Sequence, residues 1–246
     1  MQLADLPCYV EGFESSVNLR DLGGWPTAGC GRTRRGLIYR SGRLSELSDA
    51  ELVRLMQLRL RCLVDLRPAD EAAVHPDPRL LGVSRVSADA GRDVAGAEVA
   101  QMEPAQVIER ATRSTVSMAF GNRGIRRVLE LLVDGQAPLL FHCNSGRDRT
   151  GVCAMVVLMA LGCPDEVLLA DYALTNAYRA EAFGNVSVAP EYEDLMRVLV
   201  GVLPAVGRAV LDEIDARYSS REAYLGAEYG LDAGLLSKLR TTYCEC

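Results

Sequence analysis

The chain has 246 residues, 49% of them apolar, and a formal charge of −6: enough for one substantial core, but without the positive field that would attract nucleic acid or an anionic membrane. The longest apolar run, Val152–Leu161, is about half of what spans a bilayer, so stable membrane insertion is not expected. Met1–Cys8 has neither the basic start nor the apolar stretch of an export signal, which points to the cytoplasm and to reduced thiols rather than disulfides for the eight cysteines.

In chain order, residues 18–43 alternate turn residues (Gly23-Gly24, Pro26-Thr27, Gly29, Gly31) with short apolar pieces, the pattern of turns and a hairpin ending in a strand at Leu37-Ile38-Tyr39. Ser48-Asp-Ala-Glu51 is a capping box opening a helix with Leu52, Leu55, Met56 and Leu60 at helical spacing. Cys62–Leu66 reads as a strand. Pro68, Pro76 and Pro78 break up the chain after it, and a Gly- and Asp-bearing stretch from about Ser87 to Ala97 reads as a loop or lid. Helices are predicted over about 104–120 and 124–133, a strand at Pro138–Phe141, an all-apolar helix at Thr150–Leu161 and a further helix over about 164–180. Helical sequence then runs to the end, interrupted near Gly184–Pro190, Pro204 and Gly230. Strands early and centrally, separated by helices, predict an α/β fold: one domain over 1–246, with a lid or helical insertion at about 85–135 and a helical part from about 190. The terminal Cys244-Glu-Cys246 is too sparse for a metal site, which needs three or four ligands.

The segment richest in chemistry is Phe141-His-Cys-Asn-Ser-Gly-Arg-Asp-Arg-Thr-Gly151. It lies between a predicted buried strand and a predicted buried helix, where successive backbone N–H groups and the helix dipole converge on an anion. A cysteine so placed favours the thiolate, the nucleophilic form, which makes Cys143 the candidate nucleophile. Arg149 offers a planar fork for two oxygens of a phosphate. Gly146 permits a backbone turn closed to other residues, and Thr150 can hydrogen-bond the departing sulfur. Asn144, Ser145, Gly146, Arg147 and Thr150 complete a candidate phosphate-binding loop. His142 has two readings, a group that orients the loop backbone and a satisfied core histidine. Asp65 also has two, an orienter of Arg149 and a plain structural ion pair. With only two histidines, His75 and His142, a binuclear metal phosphatase is disfavoured, and no metal or other cofactor is expected.

Asn18-Leu-Arg-Asp-Leu-Gly-Gly24, Tyr39-Arg-Ser-Gly42 with Val64-Asp-Leu-Arg67, the loop from His142 to Gly151, Asp171-Tyr-Ala-Leu-Thr-Asn176 and Tyr218-Ser-Ser-Arg-Glu-Ala-Tyr224 together resemble the atypical tyrosine and lipid phosphatases of bacteria and fungi. The resemblance implies a protein-tyrosine-phosphatase-like three-layer domain, a mostly parallel central sheet flanked by helices, a helical C-terminal part, a cysteinyl-phosphate intermediate on Cys143 without metal, and Asp148 as general acid. Trp25-Pro26 is not the acid loop of eukaryotic tyrosine phosphatases, because Thr27 rather than an aspartate follows. The loop departs from the family in Asn144, Ser145 and Arg147, where Thr or Phe, Ala and Lys are usual. Asn144 removes the second basic residue that phosphoinositide 3-phosphatases carry, so phosphotyrosyl proteins and small soluble monoesters are the expected substrates. Two rival readings stand: a dedicated nucleotide or sugar phosphate phosphatase on the same fold, and a catalytically silent phosphate-binding module.

Overall fold

The computed structural model describes residues 8–13, 17–29, 31–92, 102–179 and 192–245. Five strands form the central sheet: β1 (Arg20–Asp21), β4 (Ile38–Ser41), β5 (Cys62–Asp65), β6 (Ser84–Ser87) and β7 (Leu139–His142). Their spatial order is β1-β4-β7-β5-β6, antiparallel at β1 and parallel across the other four. Every residue of β4, β5 and β7 is buried, as apolar runs in a parallel sheet covered on both faces should be.

The period of two sorts these strands' side chains. Tyr39, Leu140 and Leu63 are in register and pack with Leu55 of α1 (Asp49–Gln57) on one face. Leu139, Phe141 and Val64 join α5 (Asp148–Ala160) in the larger core on the other. From Arg149 to Ala160 every residue of α5 is buried, the mark of a helix apolar all round. Around it lie α4 (Arg123–Val133), whose apolar residues form one stripe, and α6 (Asp165–Tyr178). Tyr172 of α6 wedges against Gly151 and Gly207, where an added Cβ would come within 2.9 Å of its ring. The remaining helices are α2 (Ala69–Val74), α3 (Pro104–Ser117), α7 (Glu193–Val200), α8 (Pro204–Arg217), α9 (Arg221–Tyr229) and α10 (Ala233–Tyr243). No helix among the described residues is long and apolar enough to cross a membrane.

The Ser48 capping box forms as expected, its hydroxyl accepting from Glu51 N while the Glu51 carboxylate accepts from Ser48 N. Pro204 opens α8 and Gly230 ends α9 in the left-handed conformation. Two elements differ from the sequence reading. Residues expected to begin a loop at Ser87 instead end β6, whose side chains are mostly exposed, so it carries no apolar signal. The C-terminal Cys244-Glu245 forms β8, which joins β2 (Pro26–Thr27) and β3 (Gly31–Thr33) in a small antiparallel sheet. Cys244 is buried there, with Sγ 3.5 Å from the Leu161 carbonyl. Trp25 enters the same small sheet, its backbone N–H donating to Thr33 Oγ1 at 3.0 Å. The lid region is described only to Arg92 and again from Met102; residues 93–101, and the break expected near Gly184–Pro190, lie outside the described residues.

Candidate active site

The parallel strands end together, with Ser41, His142, Asp65 and Ser87 in mutual register. A site outside the carboxyl ends of the strands is the usual position for a ligand in such a sheet. From that edge, residues 143–147 carry the chain from β7 into α5. Gly146 has φ +68°, and a Cβ there would come 2.7 Å from Gly42 N and 2.8 Å from Ser41 O, so both its conformation and its contact with the end of β4 demand glycine.

The loop's carbonyls are held from outside. Gly146 O accepts from Asn18 Nδ2 at 2.9 Å and from Arg40 Nη2 at 2.7 Å, and Asn144 O accepts from Arg43 N at 2.9 Å. In a trans peptide the N–H points opposite to the C=O. The amides of Ser145 and Arg147 are therefore turned away from these donors, the arrangement that lines an anion cradle.

Beneath the loop lies a fully buried charge network. Asp171 of α6 receives Arg20 Nε at 2.9 Å on one oxygen and Arg40 on the other, while Arg20 Nη2 also reaches the Asp171 carbonyl at 2.8 Å and Arg20 Nη1 bonds the side chain of Asn18. Burial opposes ionisation of Asp171, but Arg20 and Arg40 outweigh it and hold the carboxyl below its ordinary range. Burial and the neighbouring Arg20 pull Arg40 down to about 10, with Asp171 acting against them. Asn18 takes the left-handed conformation at φ +54°, which asparagine tolerates better than most. The motifs around Asn18, Arg40 and Asp171 thus converge on one peptide group of the loop.

Cys143 is fully buried at the base of the loop. Arg149, in the first turn of α5 and 1% exposed, pairs with Glu71 of α2 at 2.9 Å and reaches the Gly91 carbonyl at 3.3 Å. Asp65, one candidate for orienting Arg149, instead grips Arg67 through both oxygens at 2.8 Å: a strand-end carboxylate is best placed for the guanidinium two residues on. Arg67 continues to Asp77 at 3.0 Å, and Asp77 to His142 Nε2 at 3.1 Å. Burial would raise Asp77, yet His142, Arg67 and Arg85 hold it down. His142 Nδ1 lies 3.1 Å from the Cys143 carbonyl, so both readings of this residue meet in a buried group bonded to the loop backbone. Asp65, Asp77 and His142 could offer three ligand atoms within 4.8 Å of one another, but the Arg67 guanidinium already bridges the two carboxylates. Thr150 Oγ1 donates to Ser41 O at 3.4 Å. Asp148 opens α5, 3.6 Å from Arg147 and 20% exposed; Arg147 Nε in turn donates to Ser145 Oγ at 2.9 Å.

Sequence reasoning missed Glu71 and Arg43. Glu71 had a signal: it sits four residues after Arg67, in the first turn of α2, which follows closely on the end of β5. Arg43 follows Tyr39-Arg-Ser-Gly42 directly, and its Nη1 lies 3.2 Å from Asn144 Oδ1.

The profile described as "Tyrosine phosphatase family" matches residues 12–245. A Cupriavidus necator protein that carries the name of a tyrosine-protein phosphatase is 32% identical over 241 residues, covering 91% of this chain and 85% of its own. The triple specificity protein phosphatase PtpB of Mycobacterium tuberculosis is 27% identical over 275 residues, covering 94% of this chain and 98% of its own. Among solved structures, that of P. aeruginosa TpbA in complex with pTyr aligns with 97% of both chains at 16% identity and a TM-score of 0.38.

Proposed function

Because the chain belongs to the tyrosine phosphatase family, whose members are phosphoric monoester hydrolases, we propose that it hydrolyses phosphomonoesters through Cys143, without a metal, in the cytoplasm. The observation that carries this reading is the single loop that sets Cys143 at a strand end and Arg149 in the first turn of a buried helix, with the carbonyls of Asn144 and Gly146 tied back. The Cys143 thiolate attacks phosphorus in line, and the bond to the alcohol or phenol oxygen breaks as Asp148 gives that oxygen its proton. Arg149 and the loop amides hold the three non-reacting oxygens. Water then attacks the cysteinyl phosphate, Asp148 takes the proton back, and the phosphorus–sulfur bond breaks to return the thiolate.

The Asp148 assignment is supported by its place one residue before Arg149 and its partial exposure. Phosphotyrosyl proteins and small monoesters are the proposed substrates, the former in keeping with the tyrosine-protein phosphatase name of the C. necator relative. The test is Cys143→Ser: turnover of phenyl phosphate should vanish while the variant still binds phosphate or vanadate, because the cradle and Arg149 remain but a serine hydroxyl is not ionised at neutral pH. Vanadate should inhibit the wild type and excess EDTA should not. Turnover by the serine variant, or inactivation by EDTA, would remove the thiolate mechanism.

A further inference from the structure

The strand that leads into the loop ends on His142, a buried ring with an acceptor at each nitrogen. Beyond Nε2 lies Asp77, from the segment between α2 and β6, its side chain shut off from solvent. Asp77 Oδ1 accepts from Arg67 at 3.0 Å, and Oδ2 faces Arg85 at 3.4 Å and His142 Nε2 at 3.1 Å. A guanidinium only donates, so both oxygens of Asp77 serve as acceptors. Burial opposes ionisation of this carboxyl, and His142, Arg67 and Arg85 outweigh it. On the other side of the ring, His142 Nδ1 lies 3.1 Å from the Cys143 carbonyl, which has no proton to give.

We propose that Asp77 is a positioning residue for the reaction at Cys143. It holds His142 as an imidazolium with a proton on each nitrogen, and the Nδ1–H of that ring, bonded to the Cys143 carbonyl, favours the thiolate. This rests on the phosphatase reading above. Two features carry it, and the first is the inventory of donors and acceptors. A neutral imidazole has one donor and one acceptor, whereas the imidazolium has two donors. A neutral ring between a carboxylate and a carbonyl would turn a lone pair toward one of them. With both protons in place each contact is a hydrogen bond, and each is charge-assisted.

The second feature is charge. The titratable groups bonded to His142 or to its partners are Asp77, Arg67, Asp65 and Arg85, with Cys143 next in the chain and the uncharged Ser41 opposite on β4. Asp65 and Asp77 bring two negative charges and Arg67 one positive, while Arg85 is 45% exposed and screened by water. A second proton on His142 makes the buried cluster neutral, and buried charge persists where it is paired. The cluster also lies within electrostatic reach of the nucleophile. Burial works against the charge on Arg67, but Asp65, Asp77 and Cys143 favour it. A cation at His142 acts on the sulfur in the same sense as Arg67, with a direct bond to the loop backbone besides.

The experiment reads the ring first. His75 and His142 are the two histidines of the chain, so the full-length protein labelled with ¹⁵N-histidine gives two sets of ring signals, which His75→Gln assigns. At neutral pH both nitrogens of His142 should carry protons in the wild type. In Asp77→Asn one should be lost, because the amide can accept from Arg67 and donate to Nε2, and the cluster is then neutral with a neutral ring. An unprotonated nitrogen on His142 in the wild type would overturn the proposal, and that measurement needs no variant to fold. The second arm follows alkylation of Cys143 by iodoacetamide, an uncharged reagent, read by mass on the peptide that carries it. At about pH 6 Asp77→Asn should react roughly tenfold more slowly than the wild type, and the gap should close toward about pH 9, where a thiol ionises unaided. No loss, or a loss equal at every pH as a misshapen site would give, overturns the role of Asp77. Neither arm requires turnover, so phenyl phosphate keeps the two proposals separable. If the wild type does not hydrolyse it the phosphatase reading fails, whereas hydrolysis with a neutral His142 removes only the part given to Asp77.

Discussion

At its N-terminal end α5 is surrounded by charge: Arg20, Arg40 and Asp171 are fully buried and bond one another, Asn18, Thr175 and the Gly146 carbonyl. Further along, the same helix meets α9, part of an aromatic cluster in which Tyr224 stands edge-on to Phe120, Tyr218 and Tyr229. There the hydroxyls of Tyr224 and Tyr229 both donate to the Ala119 carbonyl, so polar atoms are satisfied at the margin of an apolar contact. The first region holds a loop in a shape that its local sequence would not keep, through directed and non-interchangeable bonds. The second is held by area, which tolerates the loss of any one polar contact.

Breaking the charged region at its centre should have the largest effect. Asp171→Asn leaves two buried guanidiniums without their counter-charge and should cost about 3–5 kcal/mol in urea unfolding at neutral pH, with activity falling as the Gly146 carbonyl loses its support. Since the folded carboxyl is held below its ordinary value, its stabilisation is present above about pH 4 and is lost as pH falls through the lower folded value. The wild type should therefore weaken toward acid more steeply than Asp171→Asn. Parallel acid curves would show that the pair does not contribute in this way.

Next comes Asp148→Asn, which should reduce kcat on the order of 10²-fold or more with phenyl phosphate and much less with a nitrophenyl ester, whose leaving oxygen needs little protonation. Equal losses on both would make Asp148 structural and move the search to Asp89, which caps its own turn by accepting from Gly91 N at 2.8 Å. Glu71→Gln should lower kcat/KM by about tenfold through a less fixed Arg149, with unfolding changed by less than about 1 kcal/mol because Glu71 is partly exposed. A thermal shift without a kinetic one would reverse that assignment.

The smallest effect belongs to the aromatic region. Tyr224→Phe removes one of two donors to the Ala119 carbonyl and should cost about 1 kcal/mol in thermal unfolding, with kinetics unchanged. A loss comparable to that of Asp171→Asn would erase the contrast between the two regions.

Much of this architecture was legible in the linear chain. The capping box at Ser48, the apolar strands at Cys62 and Leu139, and the all-apolar helix after Arg149 are local patterns whose period or cap chemistry is complete within a few residues. The strand–loop–helix order around Cys143 was readable for the same reason. Strand β6 was not, because an edge strand with exposed side chains carries no alternation. Neither was the pairing of β8 with β3, which brings residues more than two hundred positions apart into one ladder.

The sequence by itself determined that Cys143, Gly146 and Arg149 stand in one strand–loop–helix segment, since that depends on residue type at short spacing. Tertiary structure alone decided which partners hold them: Glu71 rather than Asp65 for Arg149, Asn18 and Arg40 for the Gly146 carbonyl, and Arg43 at the edge where Asn144 had suggested a lack of charge. The physical reason is that a hydrogen bond or charge contact acts through a few ångströms of space, whatever the separation along the chain, and only the register of the parallel strands brings these distant side chains to the same end of the sheet.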